Sequence, residues 1–162
     1  MRRRDFIKSI VGAGTAWPVA ARAQQGERMR RIGVLSSGGT VDDSETKTWL
    51  AAFRQGLEQL DWTESRNVQI DARFGQGDAD RVRKYAAELV ALTPNVILTS
   101  GSAATEQMIK ATRTVPIVFV VVPDPVGSGF VDSLSQPGGN ATGFLQFEYS
   151  LSAKCGKFAR LD

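Results

Sequence analysis

Apolar residues recur with two different periods along the first half of the chain. Arg31 to Ser36 (RIGVLS) is a short apolar run followed by polar and glycine residues, which predicts a buried strand. From Ser44 to Leu60 the large apolar residues recur at steps of three and four, which predicts an amphipathic helix. Trp49 and Phe53 share the apolar face of that helix and are assigned to the core. Val68 to Phe74 alternates apolar with polar residues, as a strand with one polar face does.

The second half continues the alternation of helices and strands. The predicted elements are a helix over 79–92, a strand over 96–99, a helix over 103–112, a strand over 117–122 and a last strand over 141–147. Asp78 or Asp80 is expected to cap the first of these helices, and Ser102 the second. The order β-α-β-α-β-α-β, a short turn or helix, then β predicts an α/β fold. We expect a doubly wound, open parallel sheet with helices on both faces, the flavodoxin-like or Rossmann-like three-layer sandwich.

Composition narrows the classes of function that remain. The formal net charge is +3, but residues 1–23 carry five basic side chains against one acidic one, so the rest of the chain is nearly neutral. This argues against a basic nucleic-acid-binding face, and we expect no nucleic-acid partner. Cys155 is the only cysteine, which excludes an intrachain disulfide. The chain has no histidine and therefore lacks the commonest general base and metal ligand.

The amino-terminal segment has the pattern of an export signal. Arg3-Arg4-Asp5-Phe6-Ile7-Lys8 resembles the twin-arginine family of signals, and a weakly apolar stretch from Ile10 to Ala20 follows it. That stretch is far shorter than the roughly 20 residues of a membrane-spanning helix. Ala21-Arg22-Ala23 has small residues at both ends, so we expect cleavage after Ala23, a linker over 24–30 and a periplasmic mature protein.

Three loops rich in small residues follow predicted strands, over 36–40, 99–103 and 122–129. Ligands of open parallel sheets bind outside the carboxyl ends of the strands, so these loops should converge on one binding edge. In the second loop the start of the following helix offers free N–H groups that suit a carboxylate. The candidate ligand-binding residues are Ser37, Gly38, Ser100, Gly101, Ser102, Asp124 and Pro125.

Several of these residues have a purely structural alternative. Ser102 fits helix capping and ligand contact equally well, since one residue can do both. Asp124 stands between two prolines and suits either a rigid turn or a carboxylate that holds a ligand amine. Ser128, which follows Gly127, is interpreted as a helix cap.

Enzyme motifs are missing from the sequence: it contains no GxxxxGK[ST] loop, no GxSxG elbow, no CxxC pair and no HExxH. We therefore expect a binding protein without catalytic residues, metal or organic cofactor. An exported α/β enzyme that uses Asp124 and Ser128 on a small carbonyl or amide substrate is the alternative. A regulator lobe like those of sugar-responsive repressors is a third hypothesis, which the export signal argues against.

Six segments together carry a resemblance to a known family: RIGVLSS, FRQGLEQLDW, RNVQIDARFGQGDADR, PNVILTSGSAAT, TVPIVFVVVPDPVGSGFV and PGGNATGF. They resemble the ABC transporter substrate-binding proteins of tryptophan/tyrosine-type importers, from about Arg31 to Ser150. The resemblance implies the first of two lobes of a type I periplasmic binding protein. It also implies that Ser37, Ser100, Ser102 and Asp124 form the share of the cleft contributed by this lobe.

The same resemblance implies the partners. They are a small solute, such as an amino acid or a small carboxylate, and the permease of an ABC importer. Residues 151–162 depart from the family pattern and are interpreted as a truncated, divergent tail after a lobe at 31–150. An incomplete binding protein would expose the surface meant for its second lobe, so self-association through that surface is a further expectation.

Overall fold

The computed structural model describes residues 29–145. Five strands and three helices alternate along them in the predicted order. They are β1 (Arg30–Ser36), α1 (Ser44–Glu58), β2 (Val68–Phe74), α2 (Ala79–Ala91), β3 (Val96–Ser100), α3 (Ser102–Ala111), β4 (Ile117–Val122) and β5 (Ala141–Leu145). The predicted α/β class is confirmed. Helix α1 ends two residues earlier than predicted, and Leu60 lies beyond it with 69% of its surface exposed.

All five strands are parallel and lie in the order β2-β1-β3-β4-β5. The chain moves outward from β1 to β2 and then returns past β1 to β3, so the direction of winding reverses between β1 and β3. In doubly wound sheets such a reversal opens a crevice at the carboxyl ends of the two strands. The fold therefore places a crevice where Ser36 of β1 pairs with Ser100 of β3.

Helix α1 covers one face of the sheet. Ile32, Val34 and Val68 are buried there, and Trp49, Phe53 and Leu57 of α1 pack against them. The indole of Trp49 stacks on the ring of Phe53, with centroids 6.0 Å apart and planes 8° apart. Both aromatic residues therefore pack against the core, as predicted, but each is only half-buried.

Helices α2 and α3 cover the opposite face, which holds the larger core. Its fully buried residues include Leu35, Leu89, Ile97, Met108, Ile117 and Phe119. Thr99 and Thr105 are also fully buried, and their hydroxyl oxygens lie 2.9 Å apart in a hydrogen bond. This pairing satisfies two polar groups that would otherwise destabilise the core.

The three helices begin in two different ways. Asp43 caps α1 and Asp78 caps α2, each through a side-chain oxygen that accepts from a backbone N–H in the first turn. The bond from the N–H of Arg81 lowers the pKa of the Asp78 carboxyl, because it stabilises the charged form. Helix α3 instead begins at Ser102 after Gly101, with no side-chain cap bond. The prediction that Ser102 caps α3 is therefore wrong, because Ser102 already has helical geometry.

Strand β4 contains a bulge near its carboxyl end. Phe119 pairs with Gly143, but the next pairing joins Val122 to Leu145, so two residues of β4 stand opposite one residue of β5. Residues 123–140 then form turns, without a helix, before β5 begins. The interpretation of Ser128 as a helix cap is therefore wrong, because this residue lies within a turn.

Other predictions concern residues outside 29–145. They are the export signal at 1–23, most of the linker at 24–30, the end of the last strand at 147 and the tail at 151–162. None of the helices between residues 29 and 145 is long and apolar enough to span a bilayer.

Candidate ligand-binding site

A cavity of about 330 Å³ lies at the carboxyl edge of the sheet, beside the ends of β1 and β3. Four of the predicted residues line it: Ser37, Gly38, Ser100 and Gly101. The other lining residues are Ser36, Gly39, Asp43, Glu45, Thr46, Trp49, Phe74 and Val121. The structure therefore brings four of the seven predicted residues together at one cavity, beside other residues that were not predicted.

Ser37 and Gly101 form the junction between the two central strands. The N–H of Ser37 donates to the carbonyl oxygen of Ser100 at 3.0 Å, and the Ser37 hydroxyl donates to the same oxygen at 3.2 Å. Gly101 has φ +91°, and a Cβ at this position would stand 2.2 Å from the Ser37 Oγ. Only glycine therefore fits at this junction, both for its backbone conformation and for the space available.

The amino end of α3 is adjacent to this junction. The carbonyl oxygen of Gly101 accepts from the N–H of Thr105 at 3.1 Å and from its hydroxyl at 3.0 Å. The first N–H groups of any helix lack intrahelical acceptors, and α3 has no side chain to cap them. Together with the partial positive charge of the helix end, these N–H groups can donate hydrogen bonds to a carboxylate in the cavity.

The opposite wall is acidic and belongs to the first turn of α1. Asp43 accepts from the N–H and the hydroxyl of Thr46, at 3.4 and 3.2 Å. Glu45 lies two residues further along and is exposed. Gly39 completes this wall with φ +67°, where a Cβ would stand 2.5 Å from the Thr46 Oγ1. The two carboxylates make this side of the cavity suited to a cation such as an ammonium group.

Three apolar side chains that were not predicted as site residues also line the cavity. Trp49 is half-buried, so its indole serves both the core and the cavity wall. Phe74 is the last residue of β2, and Val121 is the extra residue of the bulge. Trp49 follows the apolar period of the core residues of α1, and this spacing did not indicate its place at the cavity.

The remaining candidates, Ser102, Asp124 and Pro125, are not among the residues that line the cavity. Asp124 accepts from the N–H of Gly127 at 2.7 Å, and a Cβ at Gly127 would stand 2.1 Å from its carboxylate. The Asp124 carboxylate thus takes part in the turn that follows β4. Pro125 is buried, and its carbonyl oxygen accepts from the N–H of Phe130 at 2.9 Å. Among residues 29–145, no group of three or more acidic or cysteine side chains could hold a metal ion.

Comparison with known proteins identifies related chains. Residues 40–150 match the family model for ABC transporter substrate binding proteins. A tyrosine-binding protein of Clostridioides difficile strain R20291 is 31% identical over 91 residues, which are 56% of this chain and 26% of that protein.

Two solved structures resemble the fold. The first, an ABC domain from Streptococcus pneumonia in complex with L-Trp, has a TM-score of 0.63 and 27% identity, covering 72% of this chain and 38% of that one. The second, a conserved domain protein from Vibrio cholerae, has a TM-score of 0.65 and 28% identity, covering 79% and 43%. The chain thus spans less than half the length of these relatives.

Proposed function

Because the chain belongs to the ABC transporter substrate-binding protein family, we propose that residues 31–150 form a lobe that binds an aromatic amino acid for an ABC importer. The observation that supports the proposal most directly is the cavity between β1 and β3. It combines an uncapped helix end, an acidic wall and an aromatic side chain within about 330 Å³. The C. difficile relative is a tyrosine-binding protein and the S. pneumonia structure holds L-Trp, which supports the choice of ligand class.

The ligand's carboxylate lies at the amino end of α3 in this proposal. Gly101 has no side chain and lines the cavity, so a ligand oxygen can approach the backbone there. The first N–H groups of α3 then donate to it, and the helix dipole adds a favourable electrostatic contribution. Ser37 lies at the same junction, so its hydroxyl group is next to the ligand carboxylate.

The ligand's ammonium group faces the acidic wall. Asp43 caps α1 and Glu45 stands in its first turn, and both line the same cavity as Gly101. The two charged groups of a zwitterion are thus recognised from two sides, by backbone N–H groups of α3 and by carboxylates of α1. The aromatic side chain packs on Trp49, which the stack with Phe53 holds in place.

Titration of the full chain, followed by 15N–1H correlation spectra, tests the proposal. L-tryptophan and L-tyrosine should each cause saturable shifts, whereas indole, which lacks the charged groups, should bind more weakly. Glu45→Gln should weaken the binding of L-tryptophan about two- to fivefold, which corresponds to the usual energy of an exposed ion pair. Glu58→Gln, on the same helix but away from the cavity, is the matched control. Shifts that do not saturate, or equal effects of the two variants, would contradict the proposal.

The family assignment supports binding without catalysis, because its members are substrate-binding proteins. The alternative of an enzyme that uses Asp124 and Ser128 gains no support from the comparisons. Neither residue lines the cavity, and the Asp124 carboxylate accepts from the Gly127 N–H within its own turn. Incubation with L-tryptophan should therefore leave the amino acid unchanged while binding is saturable.

A second lobe and a permease complete the proposed transport function. The relatives with solved structures are more than twice as long as the matched part of this chain, and the cavity is partly open to solvent. A ligand held by one lobe alone should bind weakly and exchange quickly, because only part of its surface is buried.

Self-association also belongs to the proposal, since Phe144 on β5 is 71% exposed. A Phe144→Thr variant should sediment with a lower apparent mass than the parent chain if that surface is used.

Export through the twin-arginine route is the last part of the proposal and concerns residues 1–23, outside the described structure. Replacing Arg3 and Arg4 together by lysine should abolish export of a reporter fused to residues 1–30. Arg2→Lys, just before the pair, is the matched control and should leave export intact. Equal export of the two variant reporters would contradict this route.

A further inference from the structure

Val121 has a backbone conformation that valine rarely adopts. Its φ is +58°, in the left-handed region, where a β-branched side chain is strained. Thr93, with φ +51°, is the other β-branched residue with a positive φ between residues 29 and 145. Strain of this kind persists only where the surrounding structure enforces it, and it occurs frequently at binding sites.

The bulge in β4 determines which valine is buried. Ile117 and Phe119 point into the core beneath α2 and α3, so regular alternation would place Val121 in that core as well. The extra residue shifts the alternation by one, so Val122 is fully buried and Val121 is 45% exposed. The bulge therefore turns an apolar side chain out of the core and into the wall of the cavity.

We propose that the strained bulge exists to present Val121 to the ligand, as the apolar wall against which the ligand's side chain packs. This inference rests on the proposed function and adds a specificity-determining residue to it. The wall faces a cavity that also contains Trp49 and Phe74, so an apolar or aromatic ligand side chain contacts three apolar residues. A charged ligand side chain would lose its hydrating water against this apolar wall and gain no hydrogen bond or ion pair from it, so it should bind less well.

Paired substitutions at Val121 and Thr93 separate strain from binding. Val121→Gly removes both the backbone strain and the apolar side chain, whereas Val121→Thr keeps the branched shape and replaces one methyl group by a hydroxyl group. Thr93→Gly relieves the same kind of strain between α2 and β3, where the chain enters the sheet at the edge opposite the cavity. The measurements are the urea midpoint of the full chain and the Kd for L-tryptophan from spectral titration.

We expect both glycine variants to raise the urea midpoint, because glycine adopts positive φ without strain. Val121→Gly and Val121→Thr should weaken L-tryptophan binding about three- to tenfold, as expected if the ligand covers the exposed half of a valine. Thr93→Gly should leave the Kd unchanged. Wild-type affinity in Val121→Gly would overturn this inference while leaving the proposed function intact. Absence of binding in the parent chain would overturn both.

Discussion

Substitution of Gly101 by alanine tests whether the geometry of the candidate site also limits the stability of the fold. Gly101 has φ +91° and ψ 153°, a region that is occupied almost only by glycine. Placing any other residue there costs about 1–3 kcal/mol in backbone strain. The new Cβ would also stand 2.2 Å from the Ser37 Oγ, so the Ser37 side chain must move and its bond to Ser100 is lost. The steric clash adds about 1–3 kcal/mol to the loss of stability, the usual cost of overpacking.

The expected loss for Gly101→Ala is therefore about 2–6 kcal/mol, a large part of the stability of a domain of this size. Urea unfolding of the full chain, followed by circular dichroism, measures it. Gly38→Ala is the control, because Gly38 lines the same cavity but has no positive φ, and its new Cβ would meet no atom within 4 Å. It should change the free energy of unfolding by less than about 1 kcal/mol.

A double variant divides the loss into its two parts. Ser37→Ala removes the Oγ, and the nearest remaining Ser37 atom to the new Cβ is then the Cβ, at 3.4 Å. In this background Gly101→Ala should cost about 1–3 kcal/mol less than alone, since only the backbone strain remains. Equal losses for Gly101→Ala and Gly38→Ala would refute the argument from backbone geometry. The same loss with and without the Ser37 hydroxyl would refute the steric part.

Three further predictions concern the scaffold. Leu89→Ala should lower the free energy of unfolding, measured in urea, by about 2–5 kcal/mol, because Leu89 is fully buried. Leu60→Ala is the control: Leu60 is 69% exposed, so this variant should change the free energy of unfolding by less than about 0.5 kcal/mol. Gly143→Ala should lower the free energy of unfolding by about 3 kcal/mol or more, because its Cβ would stand 2.1 Å from the Phe119 carbonyl oxygen. Gly139→Ala is the control, because a Cβ there would meet no atom within 4 Å. Asp78→Asn should reduce the loss of stability in acid. The pKa of Asp78 is lowered in the folded state, so its ionised carboxyl stabilises the fold fully above about pH 3.9. This stabilisation disappears as the pH falls through the folded-state pKa. Urea midpoints from pH 5 downward, with Asp42→Asn as control, check the sign, and an unchanged acid dependence would contradict it.

Most of the fold could be predicted from the sequence because its elements are amphipathic. The strands and helices have the predicted order; within residues 29–145 most of their ends coincide with the prediction, and the others differ from it by one or two residues. The starts of the helices were less predictable. Asp78 caps α2 as one of two expected candidates, but α3 begins at Ser102 because Gly101 supplies the turn with its backbone and not with a side chain. The presence of a serine at the start of a predicted helix therefore did not show whether that serine is the N-cap or the first helical residue.

The serines and glycines that line the cavity at the ends of β1 and β3 could be predicted from the sequence, whereas the acidic residues of α1 and the apolar lining residues could not. Ser37 and Ser100 follow directly from the rule that neighbouring parallel strands end at one edge, since the serines come at the ends of β1 and β3. Trp49 follows the same apolar period as the core residues of α1, so its spacing cannot indicate that its ring also reaches the cavity.

Val121 was less predictable still, because IVFVVV is apolar throughout and fits either face of the sheet. The bulge that exposes it depends on pairing with β5, which the chain reaches only after the turns of residues 123–140. Local patterns thus identify where the strands end and their polar groups gather. The exposure of Val121 depends instead on long-range strand register, which the uniformly apolar sequence of β4 does not encode.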